Sequence, residues 1–251
     1  MRALILAAGR GSRLGDLTKE KPKCLMNLAG KTLLEWQLVA LRQSGVADIA
    51  IVRGYKGELL EFAKVTFLEN NEWMNTNMVS SLLCASDWLR KEECIISYSD
   101  IVYPASTIAA LSFSKADLCI SYNVQWLDTW KLRFEDPLND AETFRVNQAG
   151  NVTEIGGKTN RLDDIKGQYM GLLKFTPRGW HQIETYLMSL TVEEVKKLDM
   201  TSLLSRLINR GIQIKGIPIN GMWYEVDNQT DLNIYSSLIA SGSSWMNEMI
   251  K

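Results

Sequence analysis

Ala3-Leu4-Ile5-Leu6-Ala7-Ala8-Gly9-Arg10-Gly11-Ser12-Arg13-Leu14 stands near the start of the chain. Residues 3–8 are continuously apolar and run into turn formers, the pattern of a buried strand. Residues 9–16 follow as a polar, glycine-rich loop. Glycines placed directly after a first strand let backbone amides come close to phosphate oxygens. Arg13 adds positive charge beside them, and Lys23 of Lys21-Pro22-Lys23 adds more. A tight turn with solvated charges is the plainer alternative.

Outward from this loop, strand and helix patterns alternate. Strands are predicted over residues 48–53, 65–68, 94–99 and 116–123, and helices over 32–44, 58–63, 78–89 and 104–113. The helix over 32–44 sets Leu34, Leu38 and Leu41 on one face and stops at Gly45. Such alternation predicts an α/β fold with a Rossmann-like, doubly wound, mostly parallel mixed sheet. After Asn123 the texture changes. Residues 144–146 and 152–155 flank Gln148-Ala149-Gly150-Asn151, a hairpin signal. Further strands are predicted over 167–175, 212–217 and 222–226, and helices over 177–189, 201–209 and 228–239. We read residues 1–251 as a single domain in which residues 125–166 form a small β-rich flap.

Composition narrows the functions. The 251 residues hold 28 Lys+Arg, 29 Asp+Glu and one histidine, His181, for a net charge of -1. A nucleic-acid binder should be basic, so no nucleic acid is expected as a partner. One histidine leaves no two-histidine metal motif and points the chemistry toward carboxylates, lysines, arginines and a metal ion. Cys24, Cys84, Cys94 and Cys119 lack the C-x-x-C spacing and read as buried thiols of a cytoplasmic protein. No apolar run is long enough for a membrane span, so no membrane insertion is expected. Two phosphate motifs fail. Leu14 stands where the dinucleotide fingerprint needs its third glycine. Gly30-Lys31-Thr32 looks like the end of a Walker motif, but Leu25 replaces its first glycine.

The run from Leu6 to Leu14, followed by Lys21-Pro22-Lys23-Cys24-Leu25, resembles the signature of the nucleotidyltransferases that activate sugar phosphates and phosphorylated head groups. The resemblance implies the nucleotide-diphospho-sugar transferase fold. It implies that Leu6, Ala7, Ala8, Gly9, Gly11 and Ser12 hold the base and phosphates. Arg13 and Lys23 would be the catalytic cations that stabilise the phosphates in the transition state.

Carboxylates offer a place for a metal. Asp100 directly follows the strand over 94–99, at the sheet edge where open α/β proteins bind ligands. Glu225 and Asp227 lie two apart in an extended segment and so share a face. The two aspartates could instead cap the helices after them. The family resemblance implies the metal reading: Mg²⁺ held by Asp100, Glu225 and Asp227. Asp231 is expected on the helix surface.

The base-reading Gln-Pro-x-Gly-like segment of hexose-1-phosphate enzymes is absent. Glu69-Asn70-Asn71-Glu72-Trp73-Met74-Asn75-Thr76-Asn77-Met78-Val79-Ser80-Ser81-Leu82 stands there instead. With Tyr224-Glu225-Val226-Asp227 it resembles the phosphocholine, 2-aminoethylphosphonate and phosphoglutamine cytidylyltransferase branch. This implies CTP and a small phosphorylated or phosphonate acceptor as partners, with Asn77 and Ser81 on the nucleotide. A capped helix start is the alternative for those two. Trp126, Trp130, Tyr169 and Trp223 would bind the acceptor, as an aromatic cage suits a choline-type cation. Core packing is the alternative, and a homodimer interface is another home for the tryptophans.

The expected reaction is in-line attack by an ionised acceptor oxygen on the α-phosphorus of CTP, releasing pyrophosphate. It needs positioning and charge but no general base, in keeping with a single histidine. By resemblance, the product would serve cell-surface polysaccharide or lipid head-group biosynthesis. The runner-up is a sugar-1-phosphate nucleotidyltransferase using UTP, dTTP or GTP. The alternative of another class is an inactive, nucleotide-sensing regulatory subunit.

Overall fold

The computed structural model describes residues 1–221 and 223–242. Its main sheet has strands β1 (Arg2–Ala7), β2 (Ile49–Arg53), β3 (Thr66–Glu69), β4 (Cys94–Tyr98), β5 (Leu118–Asn123), β6 (Gln168–Phe175) and β7 (Lys215–Ile219). They lie in the order β7-β5-β6-β4-β1-β2-β3. All neighbours are parallel except β6, which runs antiparallel to both β4 and β5. The reason is local. The chain leaves β5 at its carboxyl edge and, after residues 125–166, comes back to that same edge to start β6, with Gln168 opposite Asn123. A return from the same edge must be antiparallel.

The apolar run of β1 is buried on both faces. Leu4, Leu6 and Ala8 pack on one side with Val79, Leu82 and Trp180. Ala3, Ile5 and Ala7 pack on the other with Leu34, Leu38 and Leu41 of the helix Leu33–Gln43. Each such leucine contributes roughly 1.5–3 kcal/mol. Thr32 and Glu35 form a capping box at that helix's start, and Gly45, with φ +80°, ends it. The Walker-like Gly30-Lys31-Thr32 is a hairpin turn and strand leading into this cap.

Five elements differ from expectation. The helix over 58–63 shrinks to one 3₁₀ turn, Gly57–Leu59, because Lys56 is left-handed before it and Leu60 is extended after it. The helix over 78–89 breaks at Ala85 into Met78–Leu83 and Ser86–Leu89. Two helices went unread, Trp126–Arg133 and Val192–Lys197. The strand over 212–217 is shifted to Lys215–Ile219. The strand over 222–226 is present as Tyr224–Glu225, paired antiparallel with Ile101–Val102; Met222 lies outside the described residues. The hairpin signal holds, with Phe144–Val146 on Val152–Ile155 and Gly150 at φ +73° in the turn. Cys24, Cys94 and Cys119 are buried, but Cys84 is exposed. No helix among the described residues is long and apolar enough to cross a membrane.

Candidate active site

Segments far apart in sequence meet beyond the carboxyl ends of β1 and β4. The Lys23 ammonium donates to Asp100 Oδ2 at 2.8 Å and to Asp227 Oδ1 at 2.9 Å. Arg13 reaches the same Asp227 oxygen at 2.8 Å. Lys23 is buried, and burial alone would lower its pKa. The carboxylates of Asp100 and Asp227 outweigh that and raise it. Burial likewise pushes Asp227 upward, but Lys23, Arg13 and Arg133 together hold it below the ordinary carboxylate range.

The backbone explains this convergence. Lys23 begins a single 3₁₀ turn after the extended Pro22, and Cys24 anchors that turn in the core. Gly11, at φ +77°, lies against the lysine stem, where a Cβ would fall 2.5 Å from Lys23 Cβ. Only glycine lets Lys23 pass. The Thr18 hydroxyl donates to the Gly11 carbonyl at 3.3 Å, and the Tyr55 hydroxyl donates to the Thr18 carbonyl at 2.8 Å. These bonds tie the loop to the turn after β2. On the acidic side, Val226 N–H donates to the Asp100 carbonyl at 3.0 Å, which seats residues 225–227 beside Asp100. Neither aspartate is a cap. The helix Ala105–Phe113 follows Pro104 without a side-chain cap, and Asn228 caps the helix Gln229–Ala240.

Arg133 is the residue that sequence reasoning missed. Its side chain is fully buried and donates to Glu225 Oε2 at 3.2 Å, Asp227 Oδ2 at 3.1 Å and Asp231 Oδ1 at 2.9 Å. Asp231 is therefore not a surface residue. It is buried, it pairs with Arg133, and it accepts the N–H groups of Asp227 at 2.8 Å and Asn228 at 3.1 Å. Glu225 faces Arg133 rather than Lys23. Burial, and then the charge of Asp227, push its carboxyl above the usual range. Among the described residues no three acidic, histidine or cysteine side chains gather as a metal cluster. Of the expected trio, Asp100 and Asp227 meet on Lys23, while Glu225 and Asp227 both pair with Arg133.

Two cavities flank this centre. One, of about 140 Å³, is lined by Leu6, Ala8, Gly9, Trp73, Asn77 and Ser81 among others. Ser81 Oγ accepts from Asn70 Nδ2 at 3.0 Å, and Asn70, also unread in the sequence, is itself buried. Asn77 lines the cavity and caps the helix Met78–Leu83 as well, its Oδ1 accepting Met78 N–H at 2.8 Å. Ala7 sends its side chain to the opposite core face, Gly11 faces Lys23, and Ser12 is exposed at the start of a short helical segment. None of these three lines the cavity.

The other cavity, of about 250 Å³, includes Arg13, Trp130, Asp140, Glu142, Tyr169 and Asp227 in its wall. Trp130 donates to Asp140 Oδ2 at 3.1 Å. Glu142 is fixed by Gln168, whose Nε2 donates to the Glu142 carbonyl at 2.7 Å and whose Oε1 accepts its N–H at 3.2 Å. Burial pushes the Glu142 carboxyl upward. Trp126 and Trp223 do not reach the cavity. They are buried behind Trp130, with ring centroids 5.9 and 5.4 Å from it. Of the four residues expected as an aromatic cage, Trp130 and Tyr169 line the cavity, joined by Tyr98 and Phe144 and by the carboxylates of Asp140 and Glu142, while the Trp126 and Trp223 indoles are closed within the chain.

Comparison with known proteins identifies the family. Residues 3–125 match the MobA-like NTP transferase domain. The chain is 35% identical to the CTP:phosphoglutamine cytidylyltransferase of Campylobacter jejuni, over 93% of this chain and 98% of that protein. The chain belongs to the nucleotidyltransferase family. The choline-phosphate cytidylyltransferase of Streptococcus pneumoniae is 30% identical over 61% of this chain and 67% of its own. The inositol-1-phosphate CTP transferase from T. maritima shares the fold, with a TM-score of 0.74 at 19% identity over 97% of each chain. As a nucleotidyltransferase, the chain places its signature loop at the carboxyl end of β1.

Proposed function

We propose that the chain is a cytidylyltransferase joining CTP to a small phosphorylated or phosphonate head group, with phosphoglutamine the leading acceptor. The observation that carries this reading is the convergence of Lys23 and Arg13 on Asp100 and Asp227 between two cavities. The near full-length identity to a phosphoglutamine enzyme supports the acceptor class. Phosphocholine and 2-aminoethylphosphonate are related choices.

CTP would lie along Leu6–Gly11 toward Asn77 and Ser81, and the acceptor in the cavity beside Asp140 and Glu142. The acceptor's ionised oxygen attacks the α-phosphorus in line. A new P–O bond forms as the bond to the β-phosphate breaks, and pyrophosphate leaves. Lys23 and Arg13 offset the charge that gathers on the α-phosphate and leaving group. The acidic wall suits an ammonium or amide N–H on the acceptor.

The residues fit a hard divalent cation. Asp100 Oδ1 is buried and has no hydrogen-bond partner, an open oxygen donor next to Asp227. Mg²⁺ is commonly held by one or two carboxylates with substrate phosphates completing its shell. Asp100 and Asp227 would hold it, and it would supply charge neutralisation of the triphosphate. Cytoplasmic action in cell-surface polysaccharide or lipid head-group synthesis belongs to the same reading.

A pyrophosphate-release screen tests it, crossing CTP, UTP, dTTP and GTP with phosphoglutamine, phosphocholine, 2-aminoethylphosphonate and hexose-1-phosphates. Release with CTP and a nitrogen-bearing head group is the expected result. Release only with a hexose-1-phosphate would return the assignment to the sugar branch. CTP binding with no release from any pair would favour the regulatory subunit.

A further inference from the structure

A separate cavity of about 480 Å³ lies at the opposite edge of the sheet, where β5 and β7 begin. The six residues of β5 put roughly 20 Å between the two edges. Lys115, Arg178, Arg210 and Lys215 surround this hollow, against a single carboxylate, Asp117. That is a local excess of cations in a chain whose net charge is -1.

The carboxylate is already engaged. Asp117 forms an ion pair with Arg178 at 3.3 Å and accepts from the Thr176 hydroxyl at 2.8 Å. Arg210 lies over the Tyr186 ring at 4.7 Å and has no carboxylate partner among the described residues. Lys115 has no such partner either. Lys215 gives its ammonium to the Ala149 carbonyl. Gly150, at φ +73°, leaves room for it, since a Cβ there would sit 2.9 Å from the Lys215 nitrogen. Three cations therefore remain without a counter-charge around one concavity. A concave cluster of one sign focuses the field and concentrates counter-ions. Guanidinium forks match phosphate oxygens, and the volume is that of a small-molecule site.

We propose that this cavity binds a small, multiply charged phosphate ligand, independently of the reaction centre. A hollow ringed by cations selects a compact anion over an extended polymer, which would need a continuous groove. The proposal does not depend on the acceptor or nucleotide assigned above.

Titrating the full-length, ¹⁵N-labelled chain with inorganic pyrophosphate, followed by amide NMR at constant ionic strength, tests it site by site. Saturable shifts at Asp117, Gln182, Gly211 and Gln213 are expected. The double variant Lys115→Ala/Arg210→Ala should weaken binding at those amides at least tenfold. Shifts at Gly9 and Gly11, which report the reaction centre, should titrate as in the wild type. Both replaced side chains are on the surface, so an unchanged melting curve accompanies the expected result. Shifts confined to residues 9–13, shifts reproduced by chloride, or an unaltered titration in the double variant would each overturn the proposal.

Discussion

Arg133 and Asp231 are joined by two hydrogen bonds, of 2.9 and 3.2 Å, in a pair hidden from solvent. The pair fixes a guanidinium whose remaining N–H groups hold Glu225 and Asp227. Arg133 thus positions the carboxylate that meets Lys23. Arg133→Met would leave that acidic group without its buried counter-charge. A loss of about 3–5 kcal/mol is expected, read from the urea midpoint at constant slope. Arg133→Lys keeps the charge but not the planar fork, and should fall between the two.

Gly11→Ala tests the contact beneath Lys23. The left-handed backbone adds roughly 1–2 kcal/mol of strain, and the new Cβ must push the lysine stem aside. A misplacement of this kind can cost about 10²-fold in rate. Turnover should therefore fall far more than stability does, which steady-state kinetics beside a melting curve will show. Gly15→Ala, at φ +56° but meeting nothing within 4 Å, is the control that separates backbone strain from crowding.

The centre of this site was legible because its loop is local. Gly9, Gly11 and Arg13 lie within a few residues, and the apolar run before them announces a strand end. Asp100 was legible from its place after β4. Arg133 was not, because nothing near it in sequence shows that the helix Trp126–Arg133 returns beside residues 225–231. Asp231 was misread for the same reason, since a charged residue in a helix's first turn is ordinarily solvated. The tryptophans were misread because aromatic side chains suit a pocket wall and a core equally well. Trp130 became wall and Trp126 and Trp223 became core only through packing across the flap. The antiparallel β6 was hidden too, because strand direction depends on where the preceding loop leaves the chain.

Glu142→Gln probes the acceptor side. Hydrogen bonds to a charged group are worth about 1.5–3 kcal/mol. The acceptor KM should rise roughly ten- to a hundredfold, while the KM for CTP stays near wild type. An equal rise in both would remove Glu142 from the acceptor cavity's role.

Thiol labelling at pH 8 should be selective. Burial pushes Cys24 up to about 12 and raises Cys94 and Cys119 as well, so these remain protonated and covered. Burial raises Cys84 too, but Cys84 is exposed. Because the thiolate is the reactive form and must be reached, Cys84 should alkylate first. Mass spectrometry of the folded chain after iodoacetamide treatment should find Cys84 carrying the early label, with the other three reacting only after unfolding.

The most direct measurement is pyrophosphate release from CTP and the best acceptor by Lys23→Ala, run beside wild type with a melting curve for each. Lys23 bridges Asp100 and Asp227 and faces the reacting phosphates in this account. Its loss should lower turnover by about 10²–10³ while the chain stays folded. Release at a near wild-type rate from folded Lys23→Ala would contradict the account.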